Sequence, residues 1–314
     1  ATGAAPTNCT SQTAAVNITS VANPTVYTLS GSSICASAPN TGTINLSNSQ
    51  TGVSYQLKDA SNNNVQTSKA GTTGTALTWT GLAAGTGYYV IATGAAPTNC
   101  TSQTAAVNII ENILPTATIT GSLSACVSTT LAAGTDATSA NYVWYKDDVE
   151  ISGQTVSTLI VTASGSYKVK VKNVTSGCEQ TSVALTVTIS PLPSVYSVTG
   201  GGTYCGTAVG IGLSGSQTGV NYQLYRDGSI SVETVAGTGS AISFTSQTTL
   251  GTYTVKAIGN GSCENNMRSN AVISADTEAP VANCKSNVSL VLDANGQVNI
   301  TPSMIDNRST DNCG

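Results

Sequence analysis

The chain has 314 residues, of which 8% are charged, and 11 Lys and Arg against 15 Asp and Glu leave a formal charge of −4. The cations are scattered, which excludes a basic stripe able to track a nucleic-acid backbone, and no apolar run approaches the roughly 20 residues of a bilayer span. Histidine is absent, which removes Ser-His-Asp and Cys-His catalysis and most catalytic zinc sites.

The first eighteen residues, ATGAAPTNCTSQTAAVNI, return unchanged at residues 92–109, an offset of 91. That period is too long for helical solenoid repeats and suits a β-sandwich domain. Three successive segments then share a plan. Each opens with a proline and a short strand: Pro24 before Cys35, Pro115 before Cys126, Pro193 before Cys205. Each continues with an alternating strand around Tyr55, Tyr142 or Tyr222, and closes with GTGYYVIA, GSYKVKV or GTYTVKA, a turn carrying Cys100, Cys178 or Cys263, and a last strand. Period-two alternation with turn signals every 8 to 12 residues predicts sandwiches. Trp79 and Phe244 each precede a tyrosine (Tyr88, Tyr253) by nine residues, so both are expected in one equivalent core position, and Trp144 in the core as well. The fourth segment differs, with one evident hairpin, SLVLDANGQVNI, turning at Asp293 to Gly296. Residues 1–18 match the last turn and strand of the first full unit, so the sequence is expected to be a slice of a longer repeat protein.

The combination LSxSQTGVxYQL, GTYxVxA and SCENNxRSN resembles the immunoglobulin-like modules of giant cell-surface proteins of Bacteroidota, including gliding adhesins. EAPVANC and STDNCG at the end resemble hyalin-repeat-type modules of the same proteins. The resemblance covers nearly all of residues 19–314 and implies export, commonly by the type IX pathway. The expected architecture is all-β, with tandem immunoglobulin-like β-sandwiches in a linear array: a strand remnant at 1–18, sandwiches at 19–109, 110–190 and 191–275, and a truncated hyalin-like domain at 276–314. One departure is clear. Two residues after the tyrosine of the closing strand, where antibody domains keep a disulfide cysteine, stand Val90, Val169 and Val255.

Nine cysteines without CxxC pairs point to disulfides in an oxidising compartment. Two pairings are open. Pairing within units joins Cys35 to Cys100, Cys126 to Cys178, Cys205 to Cys263 and Cys284 to Cys313, leaving Cys9 unpaired; each sandwich then carries its own brace, and this is the expectation adopted. The rival staples adjacent domains, Cys35 to Cys178 and Cys126 to Cys263. It answers a geometric objection, since cysteines at opposite poles of one sandwich stand roughly 20 Å apart.

No catalytic or cofactor-binding residue is expected. Carboxylates fall in turns: Asp147, Asp148 and Glu150 read as a solvated hairpin, while Asp276, Glu278, Asp306 and Asp311 are weak calcium candidates whose bland alternative is turn formation. Asn17, Asn173 and Asn287 lie in sequons that such a composition produces by chance. The expected role is a stalk or filament segment of an extracellular, cell-surface adhesin, its partners being neighbouring domains, surface polysaccharide or other cells, or further copies in a fibre. The alternatives are a glycan- or cell-binding array, with Tyr145 and Tyr225 as contacts, and a spacer of a secreted multidomain enzyme.

Overall fold

The structure, a computed structural model, describes residues 12–18 and 20–313. The first sandwich consists of β1 (Leu29–Gly31), β2 (Ser33–Cys35), β3 (Gly42–Leu46), β4 (Ser54–Lys58), β5 (Lys69–Ala70), β6 (Leu77–Leu82), β7 (Gly85–Thr93), β8 (Thr101–Gln103) and β9 (Val107–Asn112). One sheet runs β1-β3-β6 and the other β2-β9-β7-β4-β5, with β8 also on β7. The second sandwich repeats this order. Its strands are β10 (Thr118–Thr120), β11 (Ser124–Cys126), β12 (Thr129–Gly134), β13 (Ala140–Lys146), β14 (Val149–Glu150), β15 (Thr158–Val161), β16 (Gly165–Asn173), β17 (Glu179–Thr181) and β18 (Leu185–Ser190). The third does so again with β19 (Val198–Gly200), β20 (Gly202–Tyr204), β21 (Ile211–Leu213), β22 (Asn221–Arg226), β23 (Ile230–Ala236), β24 (Ile242–Ser243), β25 (Gly251–Ile258), β26 (Glu264–Asn266) and β27 (Ala271–Ala275). Three- and six-stranded sheets in this order are the immunoglobulin-like plan, in tandem along the chain. The chain divides into two compact units, and the division runs through the second sandwich: the residues up to Thr118, Gly134–Val143 and Val169–Ser182 belong with the first, and Ile119–Ala133, Trp144–Lys168 and the residues from Val183 on with the third.

Alternation dictates which side chains form the cores. In β16, Tyr167, Val169 and Val171 are buried while Lys168, Lys170 and Lys172 stand toward solvent. Val90, Val169 and Val255 pack where a cysteine pin would sit, all at most 2% exposed. Trp79, Trp144 and Phe244 are core residues too. The tyrosine hydroxyls of the closing strands donate to backbone carbonyls a few residues upstream: Tyr88 to Ala83, Tyr167 to Ala163 and Tyr253 to Thr249. Tyr167 and Tyr253 are buried and Tyr88 half-buried; a phenol drawn into the core needs such a partner, and this one pins the corner where the strand begins.

The opening strand of each sandwich is split between the sheets. β1 runs antiparallel to β3, whereas β2 crosses over and runs parallel to β9. The crossover demands glycine: a Cβ on Gly31 would stand 2.1 Å from the Asn108 carbonyl oxygen, and one on Gly200 2.1 Å from that of Gly210. Parallel pairing fixes the poles. Cys35 lies opposite Asn112, the last residue of β9, while Cys100 precedes β9.

Two stretches with strand patterning form no strand, for a shared reason. Residues 12–18 repeat residues 103–109 letter for letter, yet form no strand, and Ile18 is 96% exposed where Ile109 is 2%. The second copy has β7 and β2 to pair with; among the described residues no strand pairs with the first. In the fourth segment the turn forms, with Asp293 N–H donating to the Gln297 carbonyl at 2.8 Å and Asp293 Oδ1 accepting from Asn295 and Gln297 N–H. Its flanks make no ladder, since Val291, at 91% exposure, has no apolar layer to cover it. The segment instead holds a short α1 (Pro302–Ile305) and isolated bridges of Val281 with Thr310 and Cys284 with Asp306. The rest of the strand remnant expected at 1–18, including Cys9, lies outside the described residues.

Candidate functional site

The chemistry that recurs along the chain is at the sandwich poles, where the cysteines meet. Cys35 is bonded to Cys178, Cys126 to Cys263 and Cys205 to Cys313, with Cα separations of 5.6, 5.6 and 5.1 Å. The pairing within units adopted from the sequence is therefore not the one in the structure, and among the described cysteines Cys100 and Cys284 are free. The physical reason is the parallel pairing of β2 with β9, which sends the first cysteine to the pole where β9 ends. A β9 of six residues would then hold Cys35 and Cys100 about 20 Å apart, whereas a bridge needs Cα atoms within about 7 Å.

A rule emerges. In each sandwich the cysteine ending or following the second strand is a giver, and it bonds to a receiver in the segment after it. The receiving sulfur lies over the end of the last strand of the preceding sandwich: Cys178 Sγ is 4.0 Å from the carbonyl oxygen of Asn112 in β9, and Cys263 Sγ 3.8 Å from that of Ser190 in β18. Asn112 and Ser190 are the residues opposite Cys35 and Cys126 in register. Cys178 and Cys263 are buried, while Cys100, in the same turn of the first sandwich, is half-exposed.

A polar clamp at the entry pole accompanies the staple. The backbone N–H after each linker proline donates to a side chain of its own sandwich: Thr25 to Gln50 Oε1 at 2.8 Å, Thr116 to Asp136 Oδ1 at 2.7 Å and Ser194 to Gln217 Oε1 at 2.5 Å. That hydrogen bond, with others from Thr116, holds the Asp136 carboxyl below its ordinary range. The proline carbonyls are held as well, Pro24 by Ser102 Oγ at 2.6 Å and Pro193 by Asn265 Nδ2 at 2.8 Å. The shared SQTGVxYQL motif makes this clamp. Its serine is buried with its hydroxyl donating to backbone, Ser49 to Thr75 and Ser216 to Ser240, and its glutamine N–H donates to the tyrosine hydroxyl, Gln50 to Tyr55 and Gln217 to Tyr222. The sequence pattern alone carried this motif only as a family resemblance and left its role unread; the recurrence of its glutamine 26 and 24 residues after Pro24 and Pro193 was the available signal.

The carboxylates form no common site. Asp276 caps its own turn through the Glu278 N–H, and Asp306 accepts from the Ser309 N–H and hydroxyl, which lowers its pKa. Asp311 Oδ1 has no hydrogen-bond partner among the described residues. Among the described residues no group of three or more Cys, Asp and Glu is placed to hold a metal ion. Asp147 and Asp148 form the turn between β13 and β14, paired with Lys146 at 2.7 Å and Lys168 at 2.6 Å, and the Lys146 ammonium holds Asp147 below its usual range. Tyr145 and Tyr225 are half-buried; Tyr225 lies under the Lys256 ammonium, 5.6 Å from the ring centre, in a depression of about 90 Å³, below the 300 Å³ or more of ordinary ligand pockets.

No protein-family model matches the chain, and no curated protein does. Solved structures similar to it include three N-terminal domains of the bacteriophage RB49 highly immunogenic outer capsid protein, at 15% identity over 76% of this chain and 95% of that one, TM-score 0.34. Domains A168–A170 of titin match at 12% over 74% and 93%, TM-score 0.29, and immunoglobulin domains 1–5 of Sidekick-1 at 14% over 78% and 57%, TM-score 0.27. The fold assignment rests on the strand order itself. Three disulfides mark an extracellular or secreted protein, and no helix among the described residues is long and apolar enough to cross a membrane.

Proposed function

We propose that this chain is a stalk or filament segment of a large secreted cell-surface repeat protein, an adhesin used in attachment or gliding. The observation that carries this reading is the one plan repeated in three sandwiches, each held at its linker proline by a backbone hydrogen bond and each bonded by a disulfide to the segment after it, which invests the chemistry in joints rather than in pockets. Clamped prolines restrict bending, and covalent joints resist force and proteolysis. Few charges and many hydroxyls and amides give a hydrated surface.

Monovalent antibody fragments raised against the chain test it on intact cells. Surface labelling of extended structures is expected. Absence of surface labelling on unpermeabilised cells that express the protein refutes the reading, and loss of attachment on labelling places the segment near the adhesive surface.

A further inference from the structure

We propose that β23 is a docking edge for a second copy of this chain, the two β23 strands pairing antiparallel about a two-fold axis centred on Thr234. This deepens the stalk reading by naming a lateral partner, and it is tested on purified chain, where its failure would leave surface labelling of cells unchanged.

A sheet edge carries unpaired N–H and C=O groups, and proteins blunt it with short strands, charges, prolines or cover. The first two sandwiches do so. β5 has two residues. Before it Gln66, at φ 62°, interrupts the strand, and the Gln66 amide and Lys69 ammonium reach across to the Thr80 and Thr78 carbonyls of β6, each at 2.7 Å. β14 also has two residues, and the chain turns away at Gly153. β23 stands at the same place in the third sandwich, yet it runs for seven residues and ends its sheet. Among the described residues it is the longest strand at a sheet edge.

The outer side of β23 is open. Gly237 N–H donates to the Val220 carbonyl across the hairpin, so alternation turns the N–H and C=O of Thr234 and Ala236 away from β22. Among the described residues no backbone group meets them there. The strand has neither Lys nor Pro, and Ile230 and Val232 are exposed. Its one charge is engaged: the Glu233 carboxylate accepts from the Thr245 N–H at 2.8 Å and hydroxyl at 3.0 Å.

The strand's own sequence selects the occupant. A two-fold axis on Glu233 would oppose two carboxylates and bring together residues whose N–H and C=O face β22. Moved one residue, to Thr234, the axis sets Thr234 against Thr234, Val232 against Ala236 and Glu233 against Val235, with no like charges opposed. The central pair then exchanges two backbone hydrogen bonds. β6, the next longest edge at six residues, has its Thr78 and Thr80 carbonyls already taken, so within this chain β23 is the match for β23. Such an isologous contact closes as a pair and joins two stalks side by side.

Sedimentation of the chain, its free thiols alkylated, reads the pairing at concentrations up to about 1 mM, the range for so small an interface. Thr234 is exposed, its hydroxyl donating to Gln223 Oε1, so Thr234→Lys and Thr234→Glu leave the sandwich folded. Wild type is expected to dimerise, and each variant alone to associate at least about fivefold more weakly. An equimolar mixture of the two variants is expected to regain wild-type association, because only two-fold pairing sets residue 234 against itself. Wild type that stays monomeric overturns the proposal and leaves the edge to an extended peptide of another sequence. Association that neither variant weakens, or that mixing does not restore, overturns it as well.

Discussion

The staples overlap along the chain, and this sets how far it can be stretched. Force entering at Cys35 passes through the first disulfide to Cys178, travels 27 residues to Cys205 and leaves through the third disulfide at Cys313. At roughly 3.4 Å per extended residue those 27 residues reach about 9 nm, whereas the 278 residues from Cys35 to Cys313 reach about 95 nm once the disulfides are reduced. Pairing within units would leave 26, 27 and 21 free residues between loops, about 25 nm in all. Pulling single molecules by their ends, oxidised and then reduced, measures the difference directly. An increase of about 85 nm on reduction is expected from these lengths; an increase near 70 nm would mean braces inside each sandwich and would refute the overlap.

Four further outcomes follow from single contacts. Ile109→Ala should destabilise the first sandwich by about 2–4 kcal/mol in denaturant unfolding, while Ile18→Ala, in an identical sequence context, should stay within about 0.5 kcal/mol. Trp144→Phe should cost about 1 kcal/mol more than Trp79→Phe, because Trp144 Nε1 donates to the Val156 carbonyl at 2.9 Å whereas Trp79 Nε1 is buried without a partner. Tyr253→Phe should cost about 1 kcal/mol for its lost bond to the Thr249 carbonyl, read from the melting of the third sandwich. Asp306 has a folded pKa depressed by Ser309, so its contribution is present above the unfolded value near 3.9 and is lost as pH falls through the lower folded one. Amide exchange at Ser309 should therefore quicken on acidification in the wild type, and Asp306→Asn should show the fast rate already at neutral pH.

Local pattern was enough for the strands, because a side chain every second residue on an apolar face is a property of the sequence itself. Tyr55 and Leu57, Tyr167 and Val169, or Tyr222 and Leu224 show the buried face before any partner is known. The core tryptophans and the repetition were legible for the same reason, as was the choice between two pairings for the cysteines. Which pairing holds was not. It depends on β2 crossing to the second sheet and running parallel to β9, a long-range arrangement that the spacing of Cys35 and Cys100 does not encode. The polar clamp was hidden in the same way, since Gln50 and Thr25 are 25 residues apart and meet only when the linker folds back on the turn. The two copies of QTAAVNI state the division most directly: the sequence makes both competent to be strands, but a strand needs a neighbour for its N–H and C=O groups. Among the described residues, only the copy at 103–109 has one.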